Sequence, residues 1–111
     1  MHETCDLQAK KCLPCEGGVP PLKGKLLGTF SSQVISWRVV GERELQKEFK
    51  FKNFAEALTF VNKVGEIAEQ QGHHPDVFLA WGKVKITLWT HAIGGLSSND
   101  FIMAAKIDEI K

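Results

Sequence analysis

The chain carries almost no excess charge. Fourteen Lys and Arg stand against thirteen Asp and Glu over 111 residues, a net of +1, so there is no electrostatic case for nucleic acid or an anionic membrane as the main partner. No apolar run approaches the roughly 20 residues that span a bilayer. The opening Met1-His2-Glu3-Thr4-Cys5-Asp6 has neither the apolar stretch of a secretory leader nor the Arg/Ser-rich character of a transit segment. A cytoplasmic location is therefore expected, or an organelle if a transit segment has been removed. Internal repeats and low-complexity tracts are also missing. Cysteine is scarce: Cys5, Cys12 and Cys15 all fall in the first 15 residues. An odd number so placed is a poor disulfide framework and points to a reducing compartment. Cys12-x-x-Cys15 could supply two zinc ligands, with Cys5 and His2 as a third and fourth, but that spacing matches no standard knuckle. Reduced thiols on a tethered arm are the simpler account. Glu16-Gly17-Gly18 and Pro20-Pro21 stop any redox helix from following Cys15.

What remains is ordinary for one globular domain, with 43% apolar and 24% charged residues, enough to bury a modest core. Residues 1–21 read as an irregular Cys-containing arm and 22–111 as the domain. A short helix is expected over Leu22–Ser32, with Gly24 and Gly28 weakening it. A strand follows over Ile35–Val40, then a hairpin turn at Gly41-Glu42-Arg43 and a second strand over Leu45–Lys52. Leu45, Phe49 and Phe51 share one face there, and Lys47, Lys50 and Lys52 are expected to be solvated.

Phe54–Gln71 is the clearest helix, with Phe54, Leu58, Val61, Val64 and Ala68 as its apolar stripe. Asn53 is its N-cap, Glu56 completes a capping box, and Gly72 is its stop. Two more strands are expected, Val77–Trp81 and Val84–His91, turned at Gly82-Lys83. In the second, Val84, Ile86 and Leu88 point one way and Lys85, Thr87, Trp89 and His91 the other. A last helix begins near Ser97 or Ser98, with Met103, Ile107 and Ile110 on one side. The order α-β-β-α-β-β-α predicts an α+β layer, a four-stranded antiparallel sheet with helices on one face. The other face is then open to a ligand or to assembly.

Three of the four histidines, His73, His74 and His91, fall within one short stretch. Imidazole can both give and take a proton near neutral pH. A helix end and a strand end could bring the three together as an acid–base cluster; solvated loop histidines are the plain alternative. Three imidazoles can also hold zinc, but adjacent histidines point apart on an extended chain, and no helical His-x-x-x-His pair exists. Glu69, four residues before His73, could orient an imidazole or simply be an exposed helix carboxylate. Asp100 lies in the first turn of the last helix, where dipole and capping duty explain it; a role in the site is the alternative. Trp37, Trp81 and Trp89 could stack on a flat ligand, although packing is the commoner use.

The segments Glu69-Gln70-Gln71-Gly72-His73-His74-Pro75, Trp81 to His91 and Gly95-Leu96-Ser97-Ser98-Asn99-Asp100 together resemble the pterin-4a-carbinolamine dehydratase family. The resemblance covers about residues 20–111, and the Cys arm is similar to that of microbial and plant members. It implies the same α-β-β-α-β-β-α fold. It also implies dehydration of 4a-hydroxytetrahydropterin, the product of aromatic amino acid hydroxylases, to quinonoid dihydropterin, with neither metal nor organic cofactor. By the same resemblance His73, His74 and His91 are the catalytic residues: His74 and His91 are the acid–base candidates, and His73 binds and orients the pterin near C4a, with proton transfer as its lesser role. Glu69, Pro75, Thr90 and Asp100 are then substrate-binding or supporting residues. Many animal members carry an aspartate where Gly72 stands here. Homodimers or homotetramers are implied, without direct nucleic-acid or membrane contact. A non-catalytic dimerisation, assembly or transcriptional cofactor on the same fold is the competing function.

Overall fold

The computed structural model describes residues 20–110, so the expectations for Cys5, Cys12, Cys15 and His2 lie outside the described residues. Its elements are α1 (Gly24–Ser31), β1 (Arg38–Val40), β2 (Glu44–Lys50), α2 (Phe54–Gln71), β3 (Asp76–Ala80), β4 (Lys83–Leu88) and α3 (Ser98–Asp108), with a 3-10 turn at His91–Ile93 between β4 and α3. The expected α+β order is the one observed. All strand pairs are antiparallel, in the spatial order β1-β2-β4-β3. The second hairpin thus inserts β4 beside β2 and leaves β3 on the edge.

Side-chain alternation explains β4. Val84, Ile86 and Leu88 are fully buried, while Lys83, Lys85 and Thr87 between them are only partly covered. Those three aliphatics join Leu45 of β2, Val64 and Ala68 of α2, and Phe101, Met103 and Ile107 of α3 in one core. The ends of α2 are set locally. Asn53 Oδ1 accepts from Glu56 N at 2.9 Å, and Glu56 Oε1 accepts from Lys52 N at 3.3 Å. At the other end Gly72 turns left-handed, φ 67°, and its N–H closes on Ala68 O. A residue with a Cβ adopts that conformation only at a cost, so the helix stops where the histidine pair begins.

Several sequence expectations are corrected. The strand predicted over Ile35–Val40 starts only at Arg38. Successive turns, Val34 N to Ser31 O and Trp37 N to Val34 O, bury Val34 and Trp37 and leave Ile35 86% exposed. Leu22 does not open α1; its N–H donates to Leu96 O at 2.8 Å. The stripe of α2 is rotated: Ala57, Phe60, Val64 and Ala68 face the core, whereas Phe54 and Leu58 are exposed. Lys47 is not a solvated strand lysine, since its Nζ donates to Asp108 Oδ1 at 2.7 Å and to Ser36 Oγ at 2.8 Å. Trp37 donates to the same carboxylate at 3.1 Å. Strand β4 ends at Leu88, so His91 sits in the 3-10 turn beyond it.

Candidate active site

The end of α2, the start of β3 and the end of β4 meet at one edge of the domain. Register dictates this: Asp76 pairs with Thr87, so His73-His74-Pro75, just before Asp76, lies beside Trp89-Thr90-His91, just after Leu88. Thr90 then pairs with Gly95 (Thr90 N to Gly95 O, 2.7 Å), which closes residues 91–94 into a tight loop and delivers the chain to the α3 N-cap, Ser97.

Asp100 sits at the centre with no solvent exposure. Its Oδ2 accepts from Ser97 N at 3.0 Å, completing a capping box, and from Thr90 Oγ1 at 2.8 Å. Its Oδ1 meets His73 Nε2 at 2.6 Å. A carboxylate here accepts only, so Nε2 of His73 bears the hydrogen and Nδ1 faces away from Asp100. One side chain thus caps α3 and holds both His73 and Thr90, so the two readings of Asp100 in the sequence do not exclude each other. The His73 side chain is 11% exposed. Thr90 is buried and its hydroxyl is engaged by Asp100 and by Ser97 Oγ at 2.8 Å.

His74 turns the other way. Its Nε2 meets Glu69 Oε2 at 2.5 Å, with side-chain exposures of 58% and 78%. The two adjacent rings therefore diverge, as an extended backbone requires. His74, Glu69 and Pro75 line an open groove of about 600 Å³ between α2 and β3, floored by Val61, Val64 and Ala68. Neither His73 nor His91 lines that groove.

His91 is exposed, and its ring stacks on Trp89 with centroids 4.0 Å apart and planes tilted by 36°. Trp89 Nε1 in turn donates to Asp76 Oδ2 at 3.2 Å. The structure thus joins His73, Thr90 and Asp100 through one carboxylate, and joins His74 to Glu69. It places His91 one residue from that carboxylate cluster, on the opposite side of the backbone from Thr90. Trp81 is 68% exposed in the turn between β3 and β4. Among the described residues no group of three or more His, Cys, Asp or Glu side chains forms a metal site, and no helix is long and apolar enough to cross a membrane. Sequence reasoning missed Ser97, Asp76 and the anchoring of Trp89. The S-x-x-D pattern at Ser97–Asp100 could have revealed the first; the other two depend on strand register.

Residues 21–110 match the family described as pterin 4 alpha carbinolamine dehydratase. A protein of Rubrobacter xylanophilus, provisionally named a pterin-4-alpha-carbinolamine dehydratase, is 52% identical over 105 residues, 95% of this chain and 98% of that relative. One of Alkaliphilus metalliredigens with the same provisional name is 52% identical over 94% of this chain and 95% of its own length. Among solved structures, a transcriptional coactivator/pterin dehydratase from Brucella melitensis superposes with a TM-score of 0.74 at 32% identity, covering 78% of this chain and 94% of that one. A pterin dehydratase-like protein identified as a RuBisCO assembly factor in the alpha-carboxysome gives a TM-score of 0.58 at 29% identity, over 66% of this chain and 86% of that one.

Proposed function

This chain belongs to the pterin 4 alpha carbinolamine dehydratase family, and on that premise we propose that it converts 4a-hydroxytetrahydropterin to quinonoid dihydropterin and water, a step of tetrahydrobiopterin recycling. The C4a hydroxyl is a poor leaving group until it is protonated. One imidazole gives it a proton, the C4a–O bond breaks and water departs. A second imidazole takes the proton from N5 as the C4a=N5 bond forms. Each transfer is worth roughly 10²–10⁴-fold. His74 and His91, both exposed, act as the acid–base pair. His73, tied to buried Asp100, orients the pterin near C4a, with Glu69, Pro75 and Thr90 as supports. The carrying observation is that the Asp100 carboxylate holds both His73 and Thr90, so both histidine-bearing segments are fixed to one point. The test is turnover of a 4a-hydroxytetrahydropterin by wild type and His91→Ala. A loss of about 10²–10⁴-fold in the variant is expected; equal turnover in the two would end the catalytic reading.

A non-catalytic assembly role is the second reading. Support for it comes from the RuBisCO assembly factor on a similar fold and from the exposed Phe78 and Trp81 at the outer strand β3. His73 is accounted for by its bond to buried Asp100, but the exposed His74 and His91 have little use in a scaffold, which favours the dehydratase. We also propose that the chain self-associates as a homodimer or homotetramer, and that an aromatic amino acid hydroxylase supplies its substrate.

A further inference from the structure

An imidazole that moves protons must be held within a narrow range of positions, yet His91 is an exposed side chain on a short turn. Its ring makes its contact with Trp89, and exposed rings left alone exchange rotamers freely. Trp89 and His91 are two residues apart. Thr90 between them is extended (φ −102°, ψ 106°), so both rings project from the same side of the chain. Trp89 is itself fixed, because its indole N–H donates to Asp76 at 3.2 Å. Asp76 opens β3, directly after His73-His74-Pro75.

We propose that Trp89, anchored by Asp76, is the positioning residue for His91, so that the segment carrying His91 is locked to the histidine pair by two independent ties on opposite sides of the backbone. Inward, Thr90 reaches Asp100, which holds His73. Outward, Trp89 reaches Asp76 and carries His91 on its face. With only the inward tie, the backbone of residue 91 is placed but its ring is not. Misplacing a catalytic group by about 1 Å can cost on the order of 10²-fold, so the outward tie bears on turnover more than on binding. This proposal rests on the dehydratase reading for its kinetic consequence and on geometry alone for the ring contact.

The test compares wild type, Trp89→Leu, Asp76→Ala and Asp76→Asn by NMR of the His91 ring protons and by steady-state kinetics. In the wild type those protons lie upfield through the indole ring current. Trp89→Leu abolishes that shift and lowers kcat about 10- to 100-fold with a much smaller change in KM. Asp76→Ala reduces both shift and kcat; Asp76→Asn, which keeps an oxygen for the indole N–H, recovers them relative to the alanine variant. Wild-type kcat in folded Trp89→Leu, or no upfield shift in the wild type, overturns the proposal. An inactive wild type that shows the shift, lost in Trp89→Leu and restored by asparagine over alanine at 76, sustains the positioning and overturns the dehydratase reading instead.

Discussion

Deleting one partner from a buried polar cluster costs more than the bond itself, because the groups left behind remain away from water. His73 and His74 differ sharply on this count although they are neighbours. His73→Ala leaves one oxygen of the fully buried Asp100 without its donor, and about 1–3 kcal/mol of stability should be lost. His74→Ala removes a ring from an exposed pairing with Glu69, which solvent screens, so a change within about 0.5 kcal/mol is expected. Urea denaturation of the two variants distinguishes them, and equal losses would contradict the division of labour between the rings. Both variants should lose turnover, which separates the chemical role from the structural one.

The histidine pair is delivered by a helix stop rather than by a loop of its own. Gly72 has φ 67°, and a Cβ built there meets nothing within 4 Å, so the cost of substitution is backbone strain alone. Gly72→Ala should lose about 1 kcal/mol. Aspartate enters the left-handed region more readily than most residues, so Gly72→Asp should lose clearly less, and thermal denaturation of the two gives the order. These features were legible in the sequence, as were both ends of α2 and the alternation along β4, because each depends on residues close in the chain. The inward face of α2 was not. Val64 and Ala68 of the expected stripe are buried, but apolar residues lie on two sides of that helix, and the small Ala57 that completes the inward face with Phe60 weighs little beside Phe54 and Leu58. Half of β1 was misread because Ile35 is apolar but exposed. Asp76 escaped notice because nothing near it in the chain says that Trp89 will lie beside it.

The assembled domain leaves apolar area uncovered in a patterned way. Strands β1 and β3 are the two edges of the sheet. The β3 edge carries exposed Val77 and Phe78, with Trp81 following in the turn. An uncapped edge with large apolar side chains is a template for pairing with another chain, and closed two-fold association is the commonest way for a chain to cover its own patch. On α2, Phe54 and Leu58 are also exposed, a second surface that could turn dimers into tetramers. Sedimentation should therefore give a species larger than a monomer. Phe78→Lys and Trp81→Lys together should shift it to monomer, since a charge at a buried apolar contact carries a heavy desolvation cost. Leu58→Lys should affect only a tetramer, halving it to dimer. A wild type that sediments as a monomer at micromolar concentration would leave β3 an unpaired edge and refute the assembly. Because β3 begins immediately after the histidine pair, pairing through it would also stiffen the segment that holds Asp76. The double lysine variant is then expected to lose some turnover along with its partner, and turnover unchanged in the monomer would show that the site is complete within one chain.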